Sequence, residues 1–397
     1  MSFDLLNDDI KRLVERAFDD AVRYRRQFHA NPELGYQEFK TSAAISTYLE
    51  ELGYEVQTGL AGTGVVGVLR GTQEKPVIAF RSDMDALPIL EKTNAAFASQ
   101  NENVMHACGH DMHMGTLLGA AKALSLIKDQ IPAKIKLIFQ PAEEMLCGGR
   151  KMVEDGALKN PDVDFIYGFH VWPDLPLGTI GFKGGPIMAS MDTFQVTLKG
   201  RSGHGAQPHQ GIDAIIGGAQ ILTALQSIVS RNTDPLDSVV ITVGTFTAGD
   251  GFNIIPETAQ FNGTIRTLSK ETRNRVENDF RRIVNGIASA MALEAEISFS
   301  SDYPVTINSF EHAEHAGNLA AELFGEKAVE HLEIPSMGSE DFAYYLENVP
   351  GSFMFLGVKD DQGGAYKLHN DHFLPEEEAM KYGMSLYIAL ALNPYSN

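Results

Sequence analysis

The sequence is poor in cysteine, in positive charge and in long apolar runs. Two cysteines in 397 residues are too few for a disulfide framework. The 32 Lys and Arg stand against 52 Asp and Glu, and the formal net charge of −20 argues against nucleic acid as a partner, because binding to it requires clustered cations. No apolar stretch approaches the roughly 18 residues of a membrane helix. Residues 1–10 also lack the basic and apolar regions of a signal peptide. The sequence therefore predicts a cytoplasmic protein that binds neither nucleic acid nor membranes.

The length and the texture of the chain predict two domains. A chain of 397 residues exceeds one ordinary hydrophobic core, and its 44% of hydrophobic residues suffice to fill two. Apolar runs alternate with helical patterns up to Pro173 and again after Asp302, which indicates an α/β domain with a mainly parallel sheet. Between these parts, strand, helix, two strands, helix and strand follow one another, as in an α+β sandwich. The predicted fold is an α/β catalytic domain of residues 1–185 and 302–397 with an inserted domain of residues 186–301.

Hydrophobic periodicity places the individual elements. The predicted helices cover residues 10–22, 38–52, 212–229, 270–291, 311–324 and 339–347, with a last one from Pro375, and the predicted strands of the inserted domain cover residues 193–198, 239–243, 259–265 and 295–300. The segment Gly62-Thr-Gly64-Val-Val-Gly67 matches the spacing of a dinucleotide-binding loop. That loop requires a strand before it and a helix after it, whereas here a strand pattern follows the glycines. Nucleotide binding is therefore rejected.

Polar side chains follow several of the apolar runs that indicate buried strands. They are Asp83 and Asp85 after residues 77–80, Glu143 and Glu144 after residues 135–139, His170 after residues 165–169, and His369 a short loop after residues 353–356. In an open parallel sheet, ligands sit beyond the carboxyl ends of the strands. These side chains therefore indicate one site.

The stretch His106-Ala-Cys108-Gly-His110-Asp111 adds a thiol and imidazoles to this set, the side chains that bind zinc and its first-row neighbours. Cys108 and His110 come just before a predicted helix, which Asp111 is expected to cap. A helix N-terminus lowers the pKa of a thiol and so favours the thiolate that a metal needs. The alternative for Cys108 is a small buried hydrophobic residue. His106 and His113 are expected beside the ligands rather than among them.

Next to a metal ion, the residues of the two acidic pairs are expected to have different roles. One of Glu143 and Glu144 would bind the metal, while its neighbour acts as general base on water. The alternative is that both are solvated surface residues. Asp83 and Asp85 are expected to orient a ligand by hydrogen bonding, so that Asp85 counts among the catalytic residues, with an ordinary surface loop as the alternative.

Together with further motifs, these residues give the chain a resemblance to a known family. The chain resembles the co-catalytic metallopeptidases that include aminoacylases, glutamate carboxypeptidase and succinyl-diaminopimelate desuccinylase. Within that family it is similar to the amidohydrolase branch of hippurate hydrolase and the plant indoleacetyl-amino-acid hydrolases. The resemblance covers nearly the whole chain and rests on Phe28-His-Ala-Asn-Pro-Glu-Leu-Gly35, Asp83-Met-Asp-Ala-Leu-Pro88, His106-Ala-Cys-Gly-His-Asp111, Gln140-Pro-Ala-Glu-Glu144, Gly200-Arg-Ser-Gly-His204-Gly-Ala-Gln-Pro208-His, Asn253-Ile-Ile-Pro256, Gly263-Thr-Ile-Arg266, Met337-Gly-Ser-Glu-Asp-Phe342 and Leu368-His369.

The resemblance implies two divalent metal ions and a bridging thiolate from Cys108, which marks this branch. The implied ligands are Cys108, His110, Glu144, His170 and His369. Zinc suits a set of thiolate, imidazole and carboxylate, while manganese, cobalt and nickel stay open. The segment after His369 departs from the branch, since Asn370-Asp371-His372-Phe373 replaces its usual continuation, and His372 becomes a competing ligand.

The resemblance also implies roles for the reacting and binding groups. Glu143 is the implied general base, and His204 the implied donor to the oxyanion. Arg266 and Asn253 are expected to hold a substrate carboxylate, and Gly338 to offer a backbone donor. The implied inserted domain is a lid that mediates dimerisation, so that a homodimer or a dimer-based oligomer is expected.

The predicted function is metal-dependent hydrolysis of the amide bond of N-acyl-amino acids, which releases a carboxylic acid and a free amino acid. Hydrolysis of short peptides, as a carboxypeptidase or dipeptidase, is the neighbouring alternative. A more remote one is a Cys108 nucleophile with His110 as its base, which leaves Glu144, His170 and His369 unexplained. The last alternative, a binding protein without catalysis, is disfavoured because the implied catalytic groups are all present.

Overall fold

The structure is a computed structural model that describes residues 7–144, 147–359 and 366–396. Its helices are α1 (Asp8–Ala30), α2 (Phe39–Glu51), α3 (His110–Leu126), α4 (Gly148–Glu154), α5 (Ala214–Ser227), α6 (Lys270–Ala290), α7 (Phe310–Phe324), α8 (Ala343–Leu346) and α9 (Ala379–Leu392). Its strands are β1 (Glu55–Leu60), β2 (Gly64–Arg70), β3 (Val77–Asp83), β4 (Lys134–Gln140), β5 (Phe165–Pro176), β6 (Ile180–Phe182), β7 (Gly185–Met188), β8 (Met191–Lys199), β9 (Gly203–His204), β10 (Val239–Ala248), β11 (Ile254–Ile255), β12 (Thr258–Thr267), β13 (Glu294–Tyr303), β14 (Thr306–Asn308), β15 (Val329–His331) and β16 (Gly351–Lys359). No helix in these residues combines the length and the apolar character needed to cross a membrane.

The chain groups into two units. The larger one comprises residues up to Ile187, Ile307–Ile334 and the residues from Asp341 onward, and the smaller one comprises Met188–Thr306 and Pro335–Glu340. All the strand-end side chains singled out above, together with Cys108 and His110, belong to the larger unit.

The larger unit is built on an eight-stranded sheet in the order β1-β2-β4-β3-β5-β16-β6-β15. Its centre is parallel, since β3 pairs in parallel with β4 and β5, and β5 with β16. The antiparallel pairs are β1–β2, β2–β4 and β6–β16. Parallel strands are covered on both faces, and every residue of β3 and β4 is buried. The predicted α/β class with a mainly parallel sheet is confirmed.

Helices α1, α3 and α9 pack together over one face of this sheet and form its main core with fully buried residues such as Val14 and Phe80. α3 approaches α1 at Gly115, where a Cβ atom would lie 2.9 Å from the carbonyl oxygen of Ala21. Glycine is therefore needed for this crossing. The close packing holds the first residue of α3, His110, over the edge of the sheet.

The smaller unit contains a four-stranded antiparallel sheet in the order β10-β12-β8-β13. α5 and α6 cover one face of the sheet, and their Ile221 and Phe280 pack with Val196 and Phe261 of the strands. The elements follow in the order β8, α5, β10, β12, α6 and β13, with two short strands between them. This is the order of strands and helices that the sequence predicts for the inserted α+β sandwich.

The predicted helix over residues 339–347 is wrong at its start, because only α8 forms there. The carboxylate of Asp341 accepts hydrogen bonds from Arg81, Gln140 and the backbone N–H of Gly149, at 2.7–2.8 Å. These contacts hold the segment before α8 against β3 and β4. Tertiary hydrogen bonds have replaced the first helical turn that the local sequence favours.

Candidate active site

The strand-end side chains converge at the carboxyl edge of the parallel centre of the large sheet. β3 ends at Asp83 and β4 ends shortly before Glu143. The prediction that His170 follows its strand is wrong, because β5 continues to Pro176; His170 lies within β5, two residues beyond its pairing with β3. These three strands are adjacent and parallel, so that their carboxyl ends meet at one edge. The loop that leads into α3 brings Cys108 to the same place.

Cys108, His110 and His170 form one buried group whose ligand atoms all lie within 4.8 Å of one another. The Sγ atom of Cys108 lies 3.3 Å from Nε2 of His170. Backbone carbonyls decide which ring nitrogens are protonated: Nδ1 of His110 donates to Asp85 O at 2.8 Å, and Nδ1 of His170 donates to Val171 O at 2.7 Å. In the neutral ring, each Nε2 then carries the lone pair that a metal ligand needs.

The Nε2 atom of His110 supplies a direct test of whether a metal ion fits. The imidazole is fully buried, and this nitrogen makes no hydrogen bond to the residues that the structure describes. Its neighbour Oδ2 of Asp83 is 3.6 Å away, too far for a hydrogen bond, and a buried polar atom without one costs roughly 1–3 kcal/mol. Beside a thiol and a second imidazole lone pair, it matches the donor set of zinc and its first-row neighbours. The residues present therefore fit a divalent metal ion.

A second group consists of Cys108, Glu144 and His369, whose ligand atoms also lie within 4.8 Å of one another. Nε2 of His369 is 3.2 Å from Oε1 of Glu144. The competing His372 belongs to no such group among the residues that the structure describes, and its Nδ1 lies 2.6 Å from Oδ1 of Asp371. The two groups share Cys108, as expected of a bridging ligand.

Asp83 and His113 lie beside His110 but their polar atoms are already in use. Nδ1 of His113 donates to Oδ1 of Asp83 at 2.6 Å, and its Nε2 accepts the N–H of Val171 at 2.9 Å. The other oxygen of Asp83 accepts from Arg81 at 2.8 Å. His113 has no lone pair left for a metal, so this pair orients its neighbours: it holds the backbone of Val171, next to His170.

Asp85 holds the loop that carries the two glutamates. Its Oδ1 accepts the backbone N–H of Glu143 at 2.9 Å, and its Oδ2 that of Glu144 at 2.8 Å. Its carbonyl oxygen also accepts from His110. One aspartate therefore orients a candidate ligand and the candidate general base, Glu143, which belongs to a further cluster with His110 and Glu144.

Burial raises the pKa of the Cys108 thiol well above its usual value, and the charges of Glu144, Glu143 and Asp83 add to the effect. The expectation that the helix N-terminus lowers this pKa is therefore wrong for the chain by itself. Desolvation and three carboxylates outweigh the partial positive charge of a helix end. A divalent cation reverses this balance, because a coordinated thiol is deprotonated.

Asp111 does not cap α3, contrary to the prediction. The N-cap position is Gly109, with φ of +89°, and no side chain caps the helix. The carboxylate of Asp111 is buried and accepts hydrogen bonds from Nε of Arg25 at 2.9 Å and Nδ1 of His29 at 2.8 Å. Neither Arg25 nor His29, which lies in the motif of residues 28–35, had a role predicted from the sequence. The available signal was their position on the apolar side of α1.

His204 and Asn253 are brought together in the smaller unit. β9 and β11 pair antiparallel, with His204 opposite Ile254, and Gly205 N–H donates to Asn253 O at 2.8 Å. Nδ1 of His204 accepts the N–H of Ala206 at 3.0 Å. Its Nε2 therefore carries the proton, and the exposed side chain presents an N–H donor.

Arg266 also belongs to the smaller unit and is half-buried, which lowers its pKa. Its guanidinium donates to Met337 O and Ser339 Oγ, both at 3.2 Å, and pairs with no carboxylate among the described residues. Its charge is therefore available to an anionic group. The N–H of Gly338 donates to Ser336 Oγ at 3.0 Å, so that a substrate would have to displace this bond.

Comparisons with known proteins bear on these groups. The sequence pattern of peptidase family M20/M25/M40 matches residues 79–393. The chain is 41% identical over 373 residues to a hippurate hydrolase of Campylobacter jejuni subsp. jejuni, covering 93% of this chain and 95% of that protein. It is 42% identical over 360 residues to an N-acetyl-L-cysteine deacetylase of Bacillus subtilis, covering 90% and 84%. The solved Bacillus subtilis YXEP protein, described as a dinuclear metal binding peptidase from the M20 family, aligns with a TM-score of 0.82 at 35% identity, covering 95% and 98%.

Thiol, imidazole and carboxylate groups at the carboxyl edge of an α/β sheet, in a chain this similar to named hydrolases, define a metal-dependent hydrolase. The chain belongs to peptidase family M20/M25/M40. The resemblance found in the sequence and the predicted class, a metal-dependent amidohydrolase, are both confirmed.

Proposed function

We propose that this chain hydrolyses the amide bond of N-acyl-amino acids with a free carboxylate and releases a carboxylic acid and an amino acid. The observation that carries the proposal is the pair of ligand groups that share Cys108, with Glu143 beside them. The names of the similar hydrolases support the substrate class, since they act on hippurate and on N-acetyl-L-cysteine. The guanidinium of Arg266 pairs with no carboxylate in the described part of the chain, which supports the requirement for a carboxylate on the substrate.

The residues that would hold two divalent ions are Cys108, His110, Glu144, His170 and His369. Two such ions polarise an amide carbonyl and make water a better nucleophile at neutral pH. Zinc is the proposed metal, because a set of thiolate, imidazole and carboxylate suits it best. We place the enzyme in the cytoplasm, where a reducing environment keeps the Cys108 thiol available.

Glu143 would act as the proton carrier. Its backbone is fixed by Asp85, and its carboxylate clusters with His110 and Glu144. As a base it would take a proton from the attacking water, and as an acid it would deliver that proton to the departing nitrogen. The carboxylate that takes the proton from water also delivers it to the nitrogen, so that one side chain can serve as both base and acid.

The smaller unit would supply the groups that bind substrate and stabilise charge. The Nε2–H of His204 suits donation to the oxyanion that develops on the carbonyl, an interaction typically worth roughly 3–4 kcal/mol in the transition state. Arg266 can donate two hydrogen bonds to the carboxylate of the amino acid, and Asn253 would bind beside it. Gly338 stays a candidate backbone donor.

We further propose that two copies associate through the smaller unit. β10 lies at the edge of its sheet and exposes Val240 and Phe246, while α5 exposes Ile215 and Ile216, with Ile216 half-exposed. An apolar edge strand beside an apolar helix face is typical of an interface. Light scattering should report a dimer for the parent and a monomer for Ile216→Asp; a monomeric parent contradicts the proposal.

The test of function is hydrolysis of N-acetyl- and N-benzoyl-amino acids before and after chelation, with single metals added back. We expect activity to vanish with the chelator and to return with about two metals per subunit. Activity that survives chelation and is lost on alkylation would instead make Cys108 the nucleophile. Cleavage of short peptides without cleavage of acyl-amino acids would favour the peptidase alternative.

A further inference from the structure

A second buried carboxylate contacts the loop that carries the two candidate active-site glutamates. Glu38, just before α2, is fully buried. Its Oε1 accepts the backbone N–H of Ala142 at 2.9 Å, and its Oε2 accepts the hydroxyl of Thr63 at 2.7 Å. Ala142 directly precedes Glu143, so that Glu38 touches the loop one residue before the proposed general base.

The side chain of Glu38 does not cap its own helix. It occupies the N-cap position of α2, but its side chain makes no cap hydrogen bond. Glu33 performs that task instead, since its carboxylate accepts the backbone N–H of Lys40 at 3.2 Å and of Thr41 at 2.9 Å. The carboxylate of Glu38 is thus directed away from α2.

The position of Glu38 is energetically unfavourable. Burial raises the pKa of Glu38 to about 7, and the nearby charge of Asp85 contributes to the rise. Removing an ionised carboxylate from water is unfavourable unless the carboxylate is well paired, and a second carboxylate nearby adds repulsion. Groups held against such a cost cluster at functional sites.

Glu38 and Asp85 together bind three successive backbone N–H groups. Ala142 donates to Glu38, and Glu143 and Glu144 donate to the two oxygens of Asp85, all at 2.8–2.9 Å. Ala142 has φ of +57°, a left-handed conformation that is unfavourable for a residue with a Cβ atom. Its carbonyl oxygen accepts the N–H of Gly148 at 3.0 Å. Both of its backbone polar groups are therefore held in place.

We propose that Glu38 is a positioning residue of the active site: by holding the N–H of Ala142 it fixes the left-handed turn that directs Glu143 and Glu144 away from the end of β4. The inference rests on the proposed roles of these two glutamates. Glu38 acts through its hydrogen bond and not through its charge, because a glutamine amide at this position can accept the N–H of Ala142 equally well.

Four variants and one reference test this inference. Glu38→Leu removes the hydrogen-bond acceptor. Glu38→Asp keeps the charge but shortens the side chain by one methylene group, which moves the acceptor away from the N–H of Ala142. Glu38→Gln keeps the acceptor without the charge. Thr63→Val is the matched control, since it removes the other hydrogen bond of the same carboxylate. Glu144→Gln is the reference for loss of a proposed metal ligand.

The first readout is hydrogen exchange of the metal-free protein. We expect Glu38→Leu and Glu38→Asp to accelerate exchange in peptides covering residues 139–144 and to leave peptides of α2 unchanged. The second readout is zinc affinity by competition with a chelator, which should fall by about 10–100-fold in these two variants, as is typical when a group that orients a ligand is lost. In turnover, kcat should fall with little change in KM. Glu38→Gln and Thr63→Val should match the parent throughout.

The proposal is overturned if Glu38→Asp leaves exchange at residues 139–144 and zinc affinity unchanged, or if Glu38→Gln is as damaging as Glu38→Leu. Using Glu38→Asp keeps the test decisive even if the leucine variant does not fold. If Glu144→Gln lowers zinc affinity and the Glu38 variants do not, the proposed function stands and this inference falls. If neither Glu144→Gln nor the Glu38 variants change zinc affinity, the proposed function and this inference are both contradicted.

Discussion

Replacing His29 by glutamine is expected to remove a pH-dependent part of the stability of the larger unit. His29 is buried, with Nδ1 2.8 Å from Oδ2 of Asp111 and Nε2 3.1 Å from Oε1 of Glu91. Burial alone would lower its pKa. The negative charge of Asp111 and the hydrogen bonds to both carboxylates outweigh burial and raise the pKa of His29 to about 9 from 6.5.

The sign and the size of the effect follow from this raised pKa. A histidine that binds its proton more tightly in the folded state stabilises that state fully below pH 6.5 and loses its contribution as the pH rises through about 9. The difference between these two pKa values corresponds to about 3 kcal/mol of unfolding free energy, at 1.36 kcal/mol for each pH unit.

Urea unfolding of chelator-treated protein, followed by circular dichroism, measures this contribution. The parent should exceed His29→Gln by about 3 kcal/mol near pH 6, and most of that gap should close by about pH 9.5. His331→Gln, at an exposed position, is the matched control and should follow the parent. A gap between parent and His29→Gln that is the same at both pH values would refute the reasoning.

Three further changes have defined outcomes. Glu143→Gln should keep its metal, by elemental analysis, and lower kcat by about 10²–10⁴, because the proton carrier is lost; a rate near that of the parent contradicts this. Arg266→Ala should lower kcat/KM about thirtyfold, or about 2 kcal/mol, for an N-acyl-amino acid but much less for its carboxamide, and equal losses would remove Arg266 from carboxylate binding. Lys136 is buried in β4 and its ammonium donates to the carbonyls of Ala157, Lys159 and Pro161 at 2.6–3.1 Å. Lys136→Met leaves these acceptors without their donor and should cost about 3 kcal/mol in urea unfolding; unchanged stability would show that water replaces the ammonium.

The secondary structure of the smaller unit was accessible from the sequence because its pattern is local. Alternation in residues 193–198 and helical spacing in residues 270–291 predicted β8 and α6 to within a few residues. Local pattern failed where a distant partner intervened. Asp341 binds Arg81 and Gln140, and the helix expected from residue 339 begins only at Ala343.

The convergence of the candidate ligands was partly accessible for a topological reason. Asp83 ends β3 and His170 lies just beyond the part of β5 that pairs with β3, at the edge where the parallel neighbours end. The pKa values and hydrogen-bond partners of these side chains could not be predicted from the sequence. The pKa of Cys108 rises instead of falling, because burial and nearby carboxylates act on it from other segments. Asp111 turns to Arg25 and His29 on α1 instead of capping its own helix.

The sequence by itself determined the α/β class, the family and the order of the elements, since hydrophobic periodicity and motif spacing are written along the chain. Only the tertiary structure decided which nitrogen of His110 keeps its lone pair, that His113 is already occupied, and that Glu38 holds Ala142. It also placed Pro335–Glu340 with the smaller unit. These outcomes depend on which polar atoms meet within hydrogen-bonding distance, and those atoms belong to residues far apart in the chain.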